Sequence, residues 1–424
     1  MSNLKVAKLI MVAVNDEESV KKGNAKQNNK YYHMFERDGG TFDVEFGRVD
    51  STCQTTSYPM SKWDSTIKSK IKKGYKDVTH LFAELDESST PDRVVGIADT
   101  KVNKLFTSLQ NYANKSIQEN YNVSSAKVTQ KMIDEAQSYV NDLVNHVKTQ
   151  STVAAFNKTL LDLYHVIPRK MGNVQTHLVP DKNGLTLSDS TALKRAEELV
   201  ESEQSTLDVM AGQVSINTKT DEDSTPTEKK TILDILGLQV ELASDADIKM
   251  IKEMMGPNAR QFKSAYVVKN KATQSKFEKQ VDQANNKKTE LLWHGSRNQN
   301  WLNIISTGLL IRPAGAIHTG SMFGDGIYHS NVCQKSIGYT SLSGSYWAKG
   351  SDKSAYLALY SVHVGNQKHI TRHNSSHYKL CYSVIQQEGC DSVYAHGGAD
   401  LRNDEFITYQ AQQCTISYLV EISN

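Results

Sequence analysis

Four short stretches of this 424-residue chain carry residue types that do chemistry, and they come in a fixed order. The first, LLWHGSRNQNWLNIISTGLLIR from Leu291 to Arg312, is an apolar run that stops at His294-Gly295-Ser296-Arg297. It then resumes with helical spacing through Trp301, Ile304, Ile305 and Leu309, with Gly308 placed to end the helix. A strand that hands a polar cluster to a loop is a common way to build a ligand site. The second, MFGDGIY, combines Gly324 and Gly326, which permit tight backbone, with Phe323 and Tyr328, which can wall a flat ligand. The third, KSIGY, supplies Lys335, Ser336 and Tyr339, and the fourth, NDEFITY, puts Glu405 at the start of an apolar strand. The glycines of the second stretch open no βαβ unit, so they do not form a dinucleotide-fold fingerprint. A separate run, His369, His373, His377 and Cys381, recurs every four residues, which would align metal ligands on a helix. Thr371, Asn374, Ser375 and Ser376 make a poor helix there, so no metal is expected.

The elements that must position these residues follow from patterning. The length predicts two to four domains. Residues 1–82 read as a small β-rich module: strand-like Val6 to Val14, two alternating runs through Tyr31, His33, Phe35 and Phe42, Val44, Phe46, and a turn at Gly39-Gly40. A helix opened by Ser61 follows, with Trp63, Ile67 and Ile71 on one side and lysines around the rest. The net charge of +2 hides an uneven distribution, because residues 1–80 hold 14 Lys+Arg against 10 Asp+Glu, and this basic module suits a phosphate-rich partner. Residues 83–98 read as a linker. Residues 99–214 carry helical stripes: Val102, Leu105, Phe106 and Leu109; Val128 to Val147; Phe156 to Leu163; and a helix capped by Ser190. On that last helix Glu197 and Glu201 stack at i, i+4, where like charges repel mildly. Residues 215–230 read as a second linker, and 231–424 as mainly β. The fold class is thus multidomain α+β: a β-rich module, an all-α bundle and a mainly antiparallel β domain.

Five cysteines with no C-x-x-C pair point to a reducing compartment, and no stretch approaches the ~18 apolar residues of a membrane span. A soluble intracellular protein with no membrane partner is expected.

LLWHGSR, MFGDGIY, KSIGY and NDEFITY together closely resemble the catalytic domain of the poly(ADP-ribose) polymerases, the diphtheria-toxin-like ADP-ribosyltransferases with a His-Tyr-Glu signature. The resemblance implies NAD+ as substrate. It implies that His294, Tyr339 and Glu405 form the catalytic triad, with Glu405 binding the ribose 2′-OH, stabilising developing positive charge and polarising the acceptor hydroxyl. It further implies that Gly295 and Ser336 pair with the nicotinamide amide, that Tyr339 and Tyr328 stack about the ring, that His294 and Ser296 bind the adenosine ribose, and that Arg312 lies near the adenine and phosphates. Lys335 matches a lysine near the catalytic Glu. Pro313 to Thr319 read as a loop able to move as a lid, Met322 would line the acceptor side, and Ser321 stands where a tyrosine is usual. Residues 1–82 resemble a WGR domain, with Phe46-Gly47-Arg48 in place of Trp-Gly-Arg. This implies DNA contact through Phe46, Arg48, Lys68 and Lys72, and a regulatory helical region in which Glu197 and Glu201 face the NAD+ cleft. The expectation is an enzyme switched on by DNA strand breaks that makes poly(ADP-ribose) on itself and other proteins, with a possible partner completing the acceptor site. It would be nuclear by family, or cytoplasmic if the source is bacterial. The alternatives are a mono-ADP-ribosyltransferase of the same fold and a DNA-end-binding scaffold with weak catalysis.

Overall fold

The computed structural model describes residues 4–15, 27–49, 51–82, 94–120, 128–167, 169–181, 184–222, 230–311 and 322–424. Arg312, the lid at Pro313 to Thr319, Ser321 and most of the first expected linker lie outside the described residues. The chain divides into two compact units, one of residues 1–89 with 114–214, the other of residues 90–113 with 215–424.

In the first unit, β1 (Val6–Val14), β2 (Gln27–Arg37), β3 (Thr41–Arg48), β4 (Gln54–Pro59) and β5 (Lys76–Asp77) form an antiparallel sheet in the order β4-β3-β2-β1-β5. Gly39 and Gly40, both at positive φ (95° and 76°), make the tight β2–β3 turn that a side chain would strain. Leu9, Met34, Phe42 and Val44 bury one face of the sheet. Helix α1 (Trp63–Lys72) closes that face, its Trp63 meeting Phe42 edge-on with ring centroids 5.1 Å apart. Its apolar side is narrower than expected: Ile71 is 49% exposed, and a 3-10 turn, not a Ser61 side chain, leads into the helix.

Helix α2 (Thr100–Asn120) carries the first apolar stripe, and Val102, Leu105, Phe106 and Leu109 pack into the core of the second unit. Packing therefore groups residues 100–113 with the C-terminal sheet, whereas the sequence reading put 99–214 in one helical region. Helices α3 (Gln130–Lys148) and α4 (Val153–Val166) start at Thr129 and Thr152, whose hydroxyls accept from backbone N–H groups three residues on. Helix α5 (Ser190–Glu222) is capped by the carboxylate of Asp189, which accepts from Thr191 N and Ala192 N, so the cap lies one residue before Ser190. The backbone of α5 continues helically through 215–222, into the stretch read as linker. Between α4 and α5, Arg169 holds Glu203 in a two-pronged, largely buried ion pair. Several bonds tie the sheet to this segment. The Val12 N–H donates to His165 Nε2 at 3.0 Å, Asn29 Nδ2 to the Arg169 carbonyl at 2.9 Å, and Arg48 to the Gly172 carbonyl at 3.0 Å.

The second unit opens with β6 (Val94–Val95) paired in parallel with β7 (Lys230–Thr231). It continues through α6 (Ile232–Leu236), β8 (Leu238–Leu242), α7 (Asp245–Met255), β9 (Phe262–Asn270), α8 (Lys271–Gln283), β10 (Thr289–Gly295) and α9 (Trp301–Thr307). After the undescribed stretch come β11 (Ile327–His329), α10 (Cys333–Ile337), β12 (Ser354–His363), β13 (Gln367–Ile370), α11 (Tyr382–Gln387), β14 (Ser392–Ala395), β15 (Glu405–Thr408) and β16 (Cys414–Ser423). One sheet has the order β10-β12-β16-β9-β8 and is antiparallel throughout. The other, β11-β15-β14-β13, is antiparallel except for β13–β14. Leu357, Leu359, Leu419 and Val420, all fully buried, show why β12 and β16 read as near-continuous apolar runs: helices cover both faces of their sheet. Among the described residues no helix is long and apolar enough to cross a membrane.

Candidate active site

The site forms where the two sheets of the second unit meet. At the end of β10 the Trp293 N–H donates to the Ser330 carbonyl (2.7 Å) and the Ser330 N–H returns the bond to Trp293 (3.0 Å), so the His294 segment is clamped to the strand that carries Tyr328. His294 Nδ1 lies 3.0 Å from the Tyr328 carbonyl. A carbonyl only accepts, so Nδ1 carries the proton and Nε2 is an acceptor. Burial lowers the His294 pKa, outweighing that hydrogen bond, so the neutral ring is favoured. Burial, reinforced by His294, also pushes the neighbouring His329 well below the ordinary value, with ring centroids 5.8 Å apart.

Gly295 is where α10 comes closest. A Cβ there would sit 1.9 Å from the Ser336 carbonyl oxygen, so only glycine lets the strand end and the buried Ser336 turn meet. The MFGDGIY stretch is pinned by its own tyrosine: Tyr328 OH donates to the Gly324 carbonyl (2.8 Å) and accepts from the Phe323 N–H (3.0 Å). Gly324, at φ +78°, would likewise drive a Cβ to 1.9 Å from the Leu380 carbonyl oxygen.

Glu405 opens β15 and is 8% exposed. Its Oε1 receives Lys335 Nζ, while Oε2 has no hydrogen-bond partner among the described residues, a rare state for a buried carboxylate oxygen and one that leaves an acceptor open to a ligand. Lys335 titrates below the ordinary lysine value because burial outweighs the carboxylate's pull. Burial of its hydroxyl end and the Glu405 charge push the Tyr339 pKa up to about 12, so the phenol stays protonated. The structure thus brings His294, Gly295, Tyr328, Lys335, Ser336, Tyr339 and Glu405 to one place from four separate stretches. Ser296 adjoins them, its Oγ accepting from Asn300 Nδ2 at 3.0 Å.

Some supporting residues gave no signal in the sequence. Asn298, fully buried, donates to Asp352 (2.9 Å) and to the Ser354 carbonyl (3.0 Å) and accepts from the Tyr356 N–H (3.2 Å), fixing the turn after the polar cluster. Asp404, immediately before Glu405, accepts from Tyr394 OH (2.7 Å) and the Gly397 N–H (2.8 Å), and Tyr394 stacks on Phe406 at 4.6 Å. The regularly spaced histidines do not share a helix face. His369 on β13 bonds His396, His373 bonds the Met322 carbonyl, and His377 bonds back to Asn374 in a 3-10 turn. Among the described residues no group of three or more His, Cys, Asp or Glu could hold a metal ion.

In the first unit, Phe46 is half-buried against Tyr32, 5.7 Å between rings, so its aromatic surface is partly spent on the sheet's own core. Lys68 and Lys72 are exposed on α1, whereas Lys70 sits 3.6 Å over the Tyr32 ring and Lys76 pairs with Asp162. Glu197 is partly buried, which raises its pKa, and Glu201 is exposed.

The strand-borne histidine, the glycine–serine contact, the tyrosine and the buried glutamate stand together, as the resemblance to the NAD+ ADP-ribosyltransferases implies. Residues 246–424 match the family model of the poly(ADP-ribose) polymerase catalytic domain. A poly(ADP-ribose) polymerase-like protein, 100L, of Invertebrate iridescent virus 6 is 34% identical over 180 residues, which is 42% of this chain and 94% of that protein. Poly(ADP-ribose) polymerase 2 of Homo sapiens is 30% identical over 157 residues, 31% of this chain and 26% of its own, and poly(ADP-ribose) polymerase 1 of Danio rerio is 29% identical over 154 residues, 31% and 15%. The chain belongs to the poly(ADP-ribose) polymerase family, whose members act on protein acceptors, and is an NAD+ ADP-ribosyltransferase.

Proposed function

We propose that this enzyme makes poly(ADP-ribose) on itself and on other proteins in response to DNA strand breaks, acting in the nucleus. The observation that carries the catalytic part is the open Oε2 of buried Glu405 beside Lys335 and Tyr339. Loss of nicotinamide leaves an oxocarbenium-like ribose, which a fixed carboxylate stabilises without reorganising. In this reading Glu405 accepts from the ribose 2′-OH and then polarises the acceptor hydroxyl. Lys335 holds the carboxylate in place. Backbone groups of Gly295 and the Ser336 hydroxyl take the amide of nicotinamide, and Tyr339 and Tyr328 flank its ring. His294 Nε2, the acceptor nitrogen of a neutral imidazole, accepts from a hydroxyl of the adenosine ribose together with Ser296, and Arg312, outside the described residues, keeps the role near the adenine and phosphates that the resemblance implies.

Break sensing rests on the first unit. Lys68 and Lys72 offer exposed charge to the DNA backbone, and Phe46 and Arg48 lie at the end of β3. Arg48 would exchange its bond to the Gly172 carbonyl for a phosphate, giving DNA a handle on the segment that leads into α5, where Glu197 and Glu201 act on the cleft as a brake. Incubation with labelled NAD+, with and without nicked DNA, tests the whole reading. Polymer ladders that need DNA are expected. A single shifted band would make it a mono-ADP-ribosyltransferase, DNA-independent ladders would remove the brake, and no turnover under either condition would leave a DNA-end-binding scaffold.

A further inference from the structure

The two tyrosines assigned to the nicotinamide ring are held in different ways. Tyr328 is pinned by its hydroxyl, which bonds the Phe323 N–H and the Gly324 carbonyl. Tyr339 leaves α10 by an N–H bond to the Ser336 carbonyl (3.1 Å) and is 41% exposed, so its ring plane depends on what packs against it. An exposed tyrosine has rotamer freedom that it gives up when a ligand stacks on it, and that cost offsets part of the stacking.

The loop between α10 and β12 supplies that packing. Trp347 lies offset against Tyr339, the rings 19° from parallel with centroids 6.1 Å apart, and Tyr346 meets the indole edge-on at 4.6 Å. The Trp347 and Ala348 N–H groups both donate to the carbonyl of Gly338, the residue before Tyr339 (2.9 and 3.0 Å), so the indole is tied to the same backbone turn as the ring it faces. A Cβ at Gly338 would lie 3.1 Å from Trp347 Cδ1, closer than packed carbons rest, so the glycine leaves room for this approach. The base of the loop is closed by the Ser343 N–H on the Asp352 carbonyl (2.8 Å) and the Asp352 N–H on the Ser341 carbonyl (2.9 Å), and the Gly350 N–H donates to Ser345 Oγ (2.7 Å). Lys349 is held at φ +48°, a conformation that costs a non-glycine residue energy and persists where its surroundings impose it. Trp347 is itself 60% exposed, so core burial does not account for an indole at this place.

We propose that Trp347 is a positioning residue for NAD+ cleavage: it covers one face of Tyr339 and fixes the ring plane, so that the other face is set to stack on nicotinamide, with Tyr346 bracing the indole. This rests on the reading of Tyr339 as the nicotinamide-stacking ring and deepens it. Trp347 acts through Tyr339 and not on NAD+ itself, by removing in advance the rotamer freedom that Tyr339 would otherwise lose on binding. Its effect is therefore confined to ligands that carry the nicotinamide ring. NAD+ and free nicotinamide bind more weakly without it, and ADP-ribose, which lacks that ring, binds as before. Because the ring is stacked in the ground state and the transition state alike, the loss falls on KM and not on kcat.

The test measures nicotinamide release from NAD+ by the full chain, with nicked DNA present, and inhibition by nicotinamide and by ADP-ribose. It compares wild type, Trp347→Ala, Trp347→Phe, Tyr339→Ala and the double variant Trp347→Ala with Tyr339→Ala. Trp347→Ala should raise KM for NAD+ and the nicotinamide inhibition constant together, about five- to tenfold, with kcat and the ADP-ribose inhibition constant within about twofold of wild type. Trp347→Phe should recover most of the loss. In the Tyr339→Ala background Trp347→Ala should add nothing, because no ring is left to orient. A fall in kcat with ADP-ribose inhibition weakened to the same degree would mean that the loop supports the whole site, and would overturn the proposal. Equal losses from Trp347→Ala in both backgrounds would overturn it too. Unchanged nicotinamide inhibition in Trp347→Ala, beside a large loss in Tyr339→Ala, refutes the role of Trp347 and leaves Tyr339 at the nicotinamide ring. Unchanged nicotinamide inhibition in both variants refutes the reading of Tyr339, and the role of Trp347 with it.

Discussion

The side chains of Glu405 and Lys335 are only 10% and 15% exposed and bonded to one another, so neither can be changed without stranding the other. Glu405→Gln keeps the shape and removes the charge. Lys335 then keeps the burial that lowers its pKa and a neutral amide oxygen to donate to, and loses the Glu405 charge that raises it. Removing one member of a buried pair costs about 3–5 kcal/mol; a lysine can escape part of that by shedding its proton, so about 3 kcal/mol is the expected loss. At about 2–4 °C per kcal/mol for a unit of this size, the catalytic unit should melt roughly 6–12 °C lower. Lys335→Met alone should destabilise similarly, and the double variant Lys335→Met with Glu405→Gln should regain most of the loss, because no lone charge remains. NAD+ turnover should fall about 10²–10³-fold in both variants that lack the Glu405 charge, the usual cost of losing one preorganised electrostatic partner. Calorimetric melting of the four proteins, with nicotinamide release measured on the same samples, decides it. Strictly additive melting losses would show that the pair is not coupled. Turnover within a few-fold of wild type in Glu405→Gln would take Glu405 out of the reaction.

Gly295→Ala puts a methyl 1.9 Å from the Ser336 carbonyl oxygen, so the strand end and the Ser336 turn must part, and NAD+ turnover should drop about 10²-fold or more; near-normal kinetics would mean that the contact is looser in solution. His165 is buried neutral, accepting from Val12 N–H, with its pKa lowered to about 4 from 6.5, chiefly by burial. The unfolded chain takes up a proton below pH 6.5 that the folded chain refuses, so the first unit should lose stability from pH 6.5 down to about 4, by about 3 kcal/mol in all. Melting curves across that range should show the slope, His165→Phe should flatten it, and an unchanged slope would assign it elsewhere. Tyr394→Phe removes one of the bonds that hold Asp404 ahead of Glu405, and should lower kcat about tenfold with KM for NAD+ unchanged; a change in KM alone would mean that Tyr394 acts on binding and not on the glutamate.

The polar clusters were legible because each is framed by regular elements: the apolar run LLW stops at His294, Gly308 stops α9, and apolar EFIT follows Asp404. What sequence could not supply is the identity of a buried face's partner. The stripe of Val102, Leu105, Phe106 and Leu109 says that one side of α2 is covered, and it fits a helical neighbour as well as the C-terminal sheet that covers it. Adjacent Asp189 and Ser190 are both good cap residues, and only the backbone conformation chooses Asp189. The four-residue spacing from His369 to Cys381 is a helix signal only if a helix forms, and β13 followed by a 3-10 turn sends those side chains to different partners. Asn298 and Asp404 read as turn residues because their partners, Tyr356 and Tyr394, are distant along the chain or face them across a strand pair.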